Sequence, residues 1–326
     1  MGRLSARSAA FRILFLLGTA VLCISASKPR VTLVRDDAAG RLTVLAGGRE
    51  ALVFQYGAGL DLAHYGPMRS PSGKNMLIEK AEPYPHHRSF WFADTVRPEG
   101  GERDLSFYNA LTSGVKTGSG DYGPPFRDRI RLESFSRLES GKARAVIEVR
   151  LVWESDGRPV LDESRRLVFH GLGKGEYLHD ISWILTASQG DVDFVSDDVH
   201  YAWPYLRLDP VWSGDRGGKI TSDAGAVGQE ATNMKPALWI DYSNTVEGTT
   251  EGVAVFQWPD GREHRWLTRE YGTFGPRRPD DRSGKPFTLR KGESIRQRVG
   301  VLVHSGDAAS GRVRERYEEY VKGGWR

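Results

Sequence analysis

The chain has 326 residues, of which 39% are hydrophobic and 27% charged, with 38 Gly, 9 Trp and a single Cys. The hydrophobic share excludes an intrinsically disordered chain, and one Cys excludes a disulfide framework. The formal charge of +4 falls close to zero if Arg3, Arg7 and Arg12 are cleaved off, so the charge gives no support for a nucleic-acid or anionic-membrane partner.

The first 27 residues have the layout of a secretory signal peptide. Three arginines precede an apolar run, Ile13–Leu22, and small residues follow at Ser25–Ser27. The run is about half as long as the ~20 residues that span a membrane, which favours cleavage over anchoring. Leu22 before Cys23 is not the small residue that lipoprotein processing prefers. We therefore expect a signal peptide over 1–27, a secreted or periplasmic protein without a membrane span after cleavage, and one β-sandwich domain over 28–326.

Short β-rich runs separated by turn residues predict strands along most of the remaining chain. The clearest is Arg144–Glu154, where apolar residues alternate with charged ones and predict one buried and one wet face. Other strands are predicted at Val31–Arg35, Arg41–Leu45, Ala51–Tyr56, Leu167–Phe169, Tyr177–Leu185, Asp193–Val195, Gly252–Trp258 and Ile295–Val303.

Only the tail has the spacing of a helix, with apolar residues from Val313 to Val321 recurring among charged ones. Gly118–Pro125 and Gly272–Lys285 are rich in Pro and Gly and predict long loops. The strands are too numerous for one small sheet. The predicted fold is therefore all-β, a large antiparallel sandwich of two sheets with a short C-terminal helix.

The stretch from Pro83 to Ala93 is the first candidate site. His86 and His87 are followed by Arg88 and bracketed by Pro and aromatic residues, so proton-transfer groups stand beside a fixed cation. If the stretch is extended, His86 and Arg88 share one face and His87 points to the other. The alternative is that both histidines only form hydrogen bonds within a loop.

The stretch Asp197–Leu206 is the second candidate. Tyr201, Trp203 and Tyr205 alternate, so on a strand they form an aromatic face, with His200 beside it. Aromatic rings suit the C–H faces and hydroxyls of a sugar. An aromatic cluster in the core of the sandwich explains the same pattern, so both interpretations stay open.

A third group of candidates supplies acids, bases and cations before a Gly-rich stretch. It consists of Asp241, His264, Arg269, Glu270 and Tyr271. Exposed Arg and Glu are usually solvated, so this group alone is a weak signal. The sequence contains no dinucleotide-binding or phosphate loop, no serine-hydrolase elbow and no zinc-protease motif.

At these stretches the sequence resembles the secreted bacterial family named methane oxygenase PmoA-like, over roughly Val31 to Val321. The residues that carry the resemblance are Tyr84–Arg88 (YPHHR), Phe90–Ala93, Asp241–Tyr242, Val253–Phe256 with Pro259, and Arg269 with Tyr271, Gly272 and Phe274. Four positions depart from the family pattern: Ser89 replaces Gly, Gln257 and Trp258 replace Asp-His, and Glu270 replaces Asp. The stretch Asp197–Leu206 also lacks the Glu-Gly-Gly-like run that is common in the family.

The resemblance implies a large β-sandwich similar to the galactose-mutarotase-like supersandwich, in secreted proteins of polysaccharide-degrading bacteria. It favours His86, His87 and Arg88 as site residues. It does not imply a true methane monooxygenase subunit, which is a membrane protein with several spans, because no segment after the signal is long and apolar enough to span.

Three functions follow as hypotheses. The first is a carbohydrate-active enzyme acting on plant or algal oligosaccharides. As a glycoside hydrolase it would use two acids from Glu270, Asp241 and Asp198, and as a sugar lyase a His, Tyr and Arg site without such a pair. The second is a carbohydrate-binding protein without activity. The third is a divalent metal site formed by His86 or His87 with His200 and His264, although the spacing fixes no closed ligand set and no cofactor is required.

Overall fold

The computed structural model describes residues 30–118, 120–195, 201–278 and 285–323. The predicted signal peptide, His200, Asp197 and Asp198 lie outside these residues. None of the helices in the described ranges is long and apolar enough to cross a membrane.

The described part of the chain is built almost entirely from antiparallel strands. In chain order they are β1 (Arg30–Asp36), β2 (Arg41–Ala46), β3 (Arg49–Gln55), β4 (His64–Met68), β5 (Phe90–Trp91), β6 (Thr95–Pro98), β7 (Leu105–Ser106), β8 (Val115–Lys116), β9 (Tyr122–Gly123), β10 (Asp128–Glu139), β11 (Gly141–Lys142), β12 (Arg144–Ser155), β13 (Arg158–Gly173), β14 (Glu176–Thr186), β15 (Val192–Phe194), β16 (Tyr205–Arg207), β17 (Lys219–Ser222), β18 (Trp239–Val246), β19 (Thr249–Gln257), β20 (Trp266–Thr268), β21 (Thr273–Pro276), β22 (Phe287–Leu289) and β23 (Ser294–Ser305).

Few helices accompany these strands. The α-helices are α1 (Gln229–Thr232) and α2 (Val313–Val321), and 3₁₀ helices lie at Phe107–Ser113, Pro210–Trp212 and Gly214–Arg216. The predicted C-terminal helix is confirmed as α2. The predicted all-β class is confirmed as well.

Two large sheets form the sandwich. The nine-stranded sheet has the order β11-β1-β2-β3-β4-β5-β16-β21-β20, and the eight-stranded sheet has the order β10-β12-β13-β14-β23-β19-β18-β17. Two smaller sheets, β22-β15-β6-β7 and β8-β9, lie beside them. One hydrophobic cluster contains buried residues of both large sheets, such as Phe54 and Phe90 of the first and Leu151 and Val299 of the second. The face of each sheet turned to this cluster is called its inner face below.

The strongest sequence pattern matches the structure on one face of β12, where Ala145, Ile147, Val149, Leu151 and Trp153 are at most 2% exposed. The predicted wet face is wet only in part, because Val146, Val152 and Glu154 are buried there. The prediction of two long loops is wrong in part, because residues 273–276 form β21 inside the nine-stranded sheet, and β9 forms a hairpin with β8. Both stretches are rich in Gly and Pro, but pairing with a neighbouring strand determines the local structure.

The outer face of the eight-stranded sheet is partly covered by α2. Val313, Tyr317 and Tyr320 of the helix pack on Phe256 of β19 and Leu302 of β23 in a second hydrophobic cluster. The outer face of the nine-stranded sheet carries the candidate site.

Candidate functional site

A pocket of about 400 Å³ lies on the outer face of the nine-stranded sheet. It is lined by Tyr84, His86, His87, Tyr108, Asn109, Tyr201, Leu267, Arg269, Tyr271 and Thr273. The alternation of side chains along β21 shows on which face of the sheet the pocket lies. Phe274 of β21 contacts Tyr242 of the eight-stranded sheet, with ring centroids 4.4 Å apart, so its neighbour Thr273 points outward.

The same alternation builds an aromatic floor under the histidines. Phe90 turns inward, to a centroid distance of 5.7 Å from His179 of β14, and Trp91 therefore turns outward. Trp91 stacks on Tyr205 of the adjacent β16, at 4.6 Å and 14°. The ring of His87 lies 5.3 Å from Trp91, so a rigid aromatic layer supports the imidazole from below.

The two histidines reach the pocket together because their segment is a turn. The N–H of His87 donates to the carbonyl of Tyr84 at 3.0 Å, and this bond folds the chain back between them. The segment is therefore not extended, and His86 and His87 do not lie on opposite faces. Both imidazoles line the pocket, with ring centroids 4.6 Å apart.

Arg88 points away from the pocket. Its guanidinium is fully buried and forms an ion pair with Asp61, with Nη2 and Oδ2 2.5 Å apart. A further hydrogen bond joins Nη1 to the carbonyl of Pro85 at 3.4 Å. Arg88 therefore holds the histidine turn to the body of the protein, and it can act on a bound ligand only through its field.

His87 is positioned from two sides. Its Nε2 lies 2.8 Å from the hydroxyl of Tyr108, and the ring of Tyr84 stacks on it at 4.9 Å and 18°. Burial lowers the pKa of His87 to about 2, with smaller contributions from His86, Arg207 and Arg88. At neutral pH this imidazole is uncharged.

His86 is the more accessible of the two. Burial, with a smaller contribution from the charge of Arg88, lowers the pKa of His86 to about 4. It is therefore also uncharged at neutral pH and able to accept a proton. Its ring meets that of Tyr108 at 5.1 Å, so both side chains face one part of the pocket.

The opposite wall is cationic. Nη1 of Arg269 donates to Oδ1 of Asn233 at 2.6 Å, which fixes the guanidinium at the pocket edge. The guanidinium of Arg207, 3% exposed, lies 4.5 Å from the ring centre of Tyr271 and donates to the carbonyl of the same residue. Burial raises the pKa of Tyr271. The tyrosine is therefore neutral, and the cations give the pocket a positive potential.

No Asp or Glu is among the described residues that line the pocket. Two of its polar atoms, Nδ1 of His87 and Oδ1 of Asn109, are buried without a hydrogen-bond partner within the described ranges. An unpaired buried polar atom costs about 1–3 kcal/mol. A ligand that supplies hydroxyl groups would recover this energy.

The carboxylate of Glu270 lies outside the pocket lining. Its Oε1 accepts the backbone N–H of Gln229 at 2.7 Å, and Oε1 of Gln229 accepts the N–H of Glu270 at 2.8 Å. These reciprocal bonds hold the start of α1 against the segment after β20. The structure therefore gives Glu270 a supporting position and does not bring it to the imidazoles.

Asp241 and His264 are also absent from the pocket. Asp241 is fully buried on the outer face of β18, and its Oδ1 lies 2.7 Å from Nε2 of His304. His264 lies in another cavity, where Nδ1 is 2.9 Å from the carbonyl of Arg277 and Nε2 is 3.1 Å from Asp260. Neither side chain meets the histidine turn.

The three aromatic residues of the second stretch, Asp197–Leu206, lie in three different environments. Tyr201 lines the pocket, and its hydroxyl lies 2.8 Å from Oγ1 of Thr95. Trp203 is buried and donates from Nε1 to Asp94 at 2.8 Å, whereas Tyr205 belongs to the aromatic floor. The expected alternation does not extend over all three because β16 begins only at Tyr205.

The structure brings together five of the candidates: His86, His87, Tyr201, Arg269 and Tyr271. Sequence reasoning missed Tyr108 and Asn109, which lie in the 3₁₀ helix Phe107–Ser113 and carry no motif. Their only sequence signal is the preceding Ser106, a residue type that favours helix starts, and its side chain accepts the N–H of Asn109. Within the described ranges, no group of three or more His, Cys, Asp or Glu side chains could hold a metal ion.

Comparison with known proteins gives a family and a set of distant structures. A family model described as "Family of unknown function (DUF6807)" matches residues 41–318. No curated protein matches the chain. The resemblance to the methane oxygenase PmoA-like family stays a prediction.

Among solved structures, the GH36 alpha-galactosidases AgaA and AgaB of Geobacillus stearothermophilus are 10% identical, with TM-scores of 0.45 and 0.47. Each comparison covers 86% of this chain, and 41% and 42% of those chains. The heparan sulfate lyase HepC of Pedobacter heparinus is 11% identical with a TM-score of 0.36, over 82% of this chain and 36% of that one. The chain thus spans about two fifths of the enzymes it matches, and none of these values assigns it an activity.

Proposed function

The chain belongs to the family of unknown function DUF6807, and we propose that it is a carbohydrate-active protein that cleaves an acidic saccharide by elimination. The observation that supports this proposal most is the composition of the pocket. Two neutral imidazoles, a tyrosine hydroxyl held by one of them and a fixed guanidinium share one cavity, and no carboxylate lies among its described lining residues. Its volume of about 400 Å³ is in the usual range for a small-ligand site.

Hydrolysis is supported less well. Glycoside hydrolases normally use two carboxyl groups about 5–9.5 Å apart on either side of the scissile bond. Glu270 is bound to Gln229 and Asp241 to His304, so neither of these two predicted acids faces the pocket.

Elimination needs a base, an acid and a group that stabilises a carboxylate. In the proposed step, His86 takes the proton from the ring carbon next to the carboxylate, and the C–H electron pair moves into an enolate. Arg269 holds the negative charge as it develops. A double bond then forms while the carbon–oxygen bond to the next sugar breaks. Tyr108, held by His87, gives its proton to the leaving oxygen.

The depressed pKa of His86 fits a site that is completed by its substrate. A carboxylate placed within about 4–6 Å of an imidazole raises its pKa. Binding of an acidic sugar would therefore make His86 a better base at the moment when the base is needed. Residues 1–27, as a proposed signal peptide, would deliver the protein to an extracellular or periplasmic polymer.

The test is product analysis on a panel of uronate-containing and neutral polysaccharides. Elimination predicts an unsaturated product that absorbs in the ultraviolet, from uronate-containing substrates only. New reducing ends without that absorbance would contradict the proposal and favour hydrolysis. The weak basicity of both imidazoles also fits a binding protein without activity, and heat of binding without any product would favour that second function.

A further inference from the structure

The outer face of the eight-stranded sheet carries a second polar cavity, far from the histidine turn. A cavity of about 390 Å³ lies over β12, β13, β14 and β23. Its described lining residues are Arg144, Arg166, Val168, His170, Asp180, Ser182 and Arg298. Three arginines and one carboxylate line the cavity, so its lining has an excess of positive charge. The chemistry proposed for the pocket of the nine-stranded sheet does not use this charge.

Strand register places part of this lining in one row across the sheet. Arg166 pairs with Ser182, Ser182 pairs with Arg298, and the N–H of Trp258 donates to the carbonyl of Arg298 at 3.2 Å. Side chains at paired positions project from the same face. Because neighbouring strands are about 4.8 Å apart, the row runs about 14 Å across four strands.

Arg298 is fixed before any ligand binds. Its guanidinium forms two hydrogen bonds to Asp180, at 2.8 and 2.6 Å, and lies 3.5 Å from the ring centre of Trp258. The hydroxyl of Tyr320 also donates to Asp180, at 3.1 Å. Helix α2, which carries Tyr320, therefore lies beside this cavity.

Trp258, on which Arg298 of the basic cavity packs, lies at a neighbouring cavity whose surface is mostly apolar, although Asp223, Arg262 and Glu263 also line it. The ring lines this cavity of about 410 Å³ together with Leu238, which is 50% exposed, and Pro259. A charged surface alone would fit any polyanion. Apolar area beside the cations favours a polymer that offers anionic groups and flat C–H faces in alternation.

We propose that this groove, from Arg144 and Arg166 through Arg298 to Trp258, binds a carboxylated or sulfated oligosaccharide without cleaving it. The anionic groups pair with Arg144 and Arg166, and a sugar face packs beside Trp258. The guanidinium of Arg144 has no hydrogen bond or ion pair within the described ranges, and that of Arg166 has one bond to Glu148 at 3.1 Å, so both side chains retain donors for a ligand. This site does not depend on the proposed elimination.

The experiment measures binding in a protein whose pocket is disabled by Tyr108→Phe and Arg269→Gln. Calorimetric titration with a sulfated and a uronate-containing oligosaccharide should still show binding. Adding Arg144→Gln and Arg166→Gln should weaken it about tenfold or more per charge removed. The matched control carries Arg30→Gln and Arg41→Gln, which remove the same charge from exposed positions of the other sheet.

Three outcomes would overturn the proposal. They are loss of binding in the pocket-disabled protein itself, equal weakening by the control pair, and binding of inorganic sulfate or single-stranded DNA as tight as that of the oligosaccharide. A Trp258→Ala variant separates a saccharide from a simple anion, because it should weaken the oligosaccharide and leave inorganic sulfate unaffected. Circular dichroism of each variant checks that the fold is retained.

Discussion

At the scale of single residues, the contact between His87 and Tyr108 is the centre of the proposed chemistry. The imidazole is held by stacking on Tyr84 and by its aromatic floor, so the hydroxyl at 2.8 Å has a fixed partner. A neutral imidazole at this distance can orient the phenol and share its proton. The positions of both groups are determined by packing, and their chemistry by burial.

Tyr108→Phe removes the hydroxyl and keeps the ring. We expect turnover to fall about 10²–10⁴-fold, because the general acid is lost. The free energy of unfolding should fall by no more than about 1.5 kcal/mol, the usual value of one hydrogen bond. The measurements are the rate of unsaturated product formation and a urea unfolding curve. Tyr122→Phe, in the β8–β9 hairpin, is the control, and an equal loss of turnover there would remove the special role of Tyr108.

The low pKa of His86 predicts proton uptake on binding of an acidic sugar. The free group has a pKa of about 4, and the ligand carboxylate raises it. Affinity should therefore increase as the pH falls from the raised pKa of the complex towards about 4, and level off below. Calorimetry in buffers of different ionisation enthalpy measures the protons taken up. Affinity that is independent of pH in this interval, or proton release, would show that no carboxylate lies near His86.

At the scale of elements, the buried pair of Asp241 and His304 connects β18 to β23 beneath the C-terminal segment. Oδ1 and Nε2 are 2.7 Å apart, and neither side chain is exposed. Oδ2 of Asp241 has no hydrogen-bond partner within the described ranges. The ring of His304 is packed so closely that a Cβ on Gly311 would lie 2.3 Å from its Nδ1. This pair therefore supports the fold, and no local sequence pattern distinguishes Asp241 from a catalytic acid.

His304→Ala should destabilise the protein by about 3–5 kcal/mol, because it leaves a buried carboxylate unpaired. Burial lowers the pKa of His304, but Asp241 outweighs burial, and the pKa is raised overall. The contribution of this pair is thus complete below the unfolded-state pKa of about 6.5 and is lost as the pH rises through the folded-state value. Urea unfolding over this pH range measures it.

The control for that experiment is Asp37→Asn, which breaks an exposed ion pair with Arg35. The free energy of unfolding of this variant should remain close to that of the unmodified protein, since exposed ion pairs contribute little to stability. An effect of His304→Ala as small as that of the control would contradict the assigned role of the buried pair.

The elements that could be predicted from the sequence are those with a local signal. The alternation in β12 and the helical spacing of α2 are properties of consecutive residues, and both elements form as expected. The site could be predicted only in part. His86 and His87 are adjacent and conspicuous, whereas Tyr108 reaches them from 21 residues away, and Asp61 reaches Arg88 from 27 residues away. Such pairs are decided by the packing of loops on a sheet, which no local pattern records.

At the scale of the whole molecule, both large sheets share one hydrophobic cluster. The indole rings of Trp266, in the nine-stranded sheet, and of Trp153 and Trp183, in the eight-stranded sheet, belong to it. A single shared core predicts that neither sheet is stable without the other, and the single domain over 28–326 stays a prediction.

Unfolding should accordingly occur in one cooperative transition. Tryptophan fluorescence and far-ultraviolet circular dichroism should follow the same urea curve, because the indoles lose their burial when the strands separate. Two transitions with different midpoints would indicate that the sheets unfold independently and would contradict the single core.

The incorporation of oxygen from water into the product distinguishes elimination in the pocket from hydrolysis. The reaction is run on a uronate-containing polysaccharide in water enriched in heavy oxygen, and the masses of the fragments are measured by mass spectrometry. Elimination predicts an unsaturated fragment that has gained no water and carries no heavy oxygen. A saturated fragment with one heavy oxygen at its new end would show hydrolysis and contradict the proposed elimination.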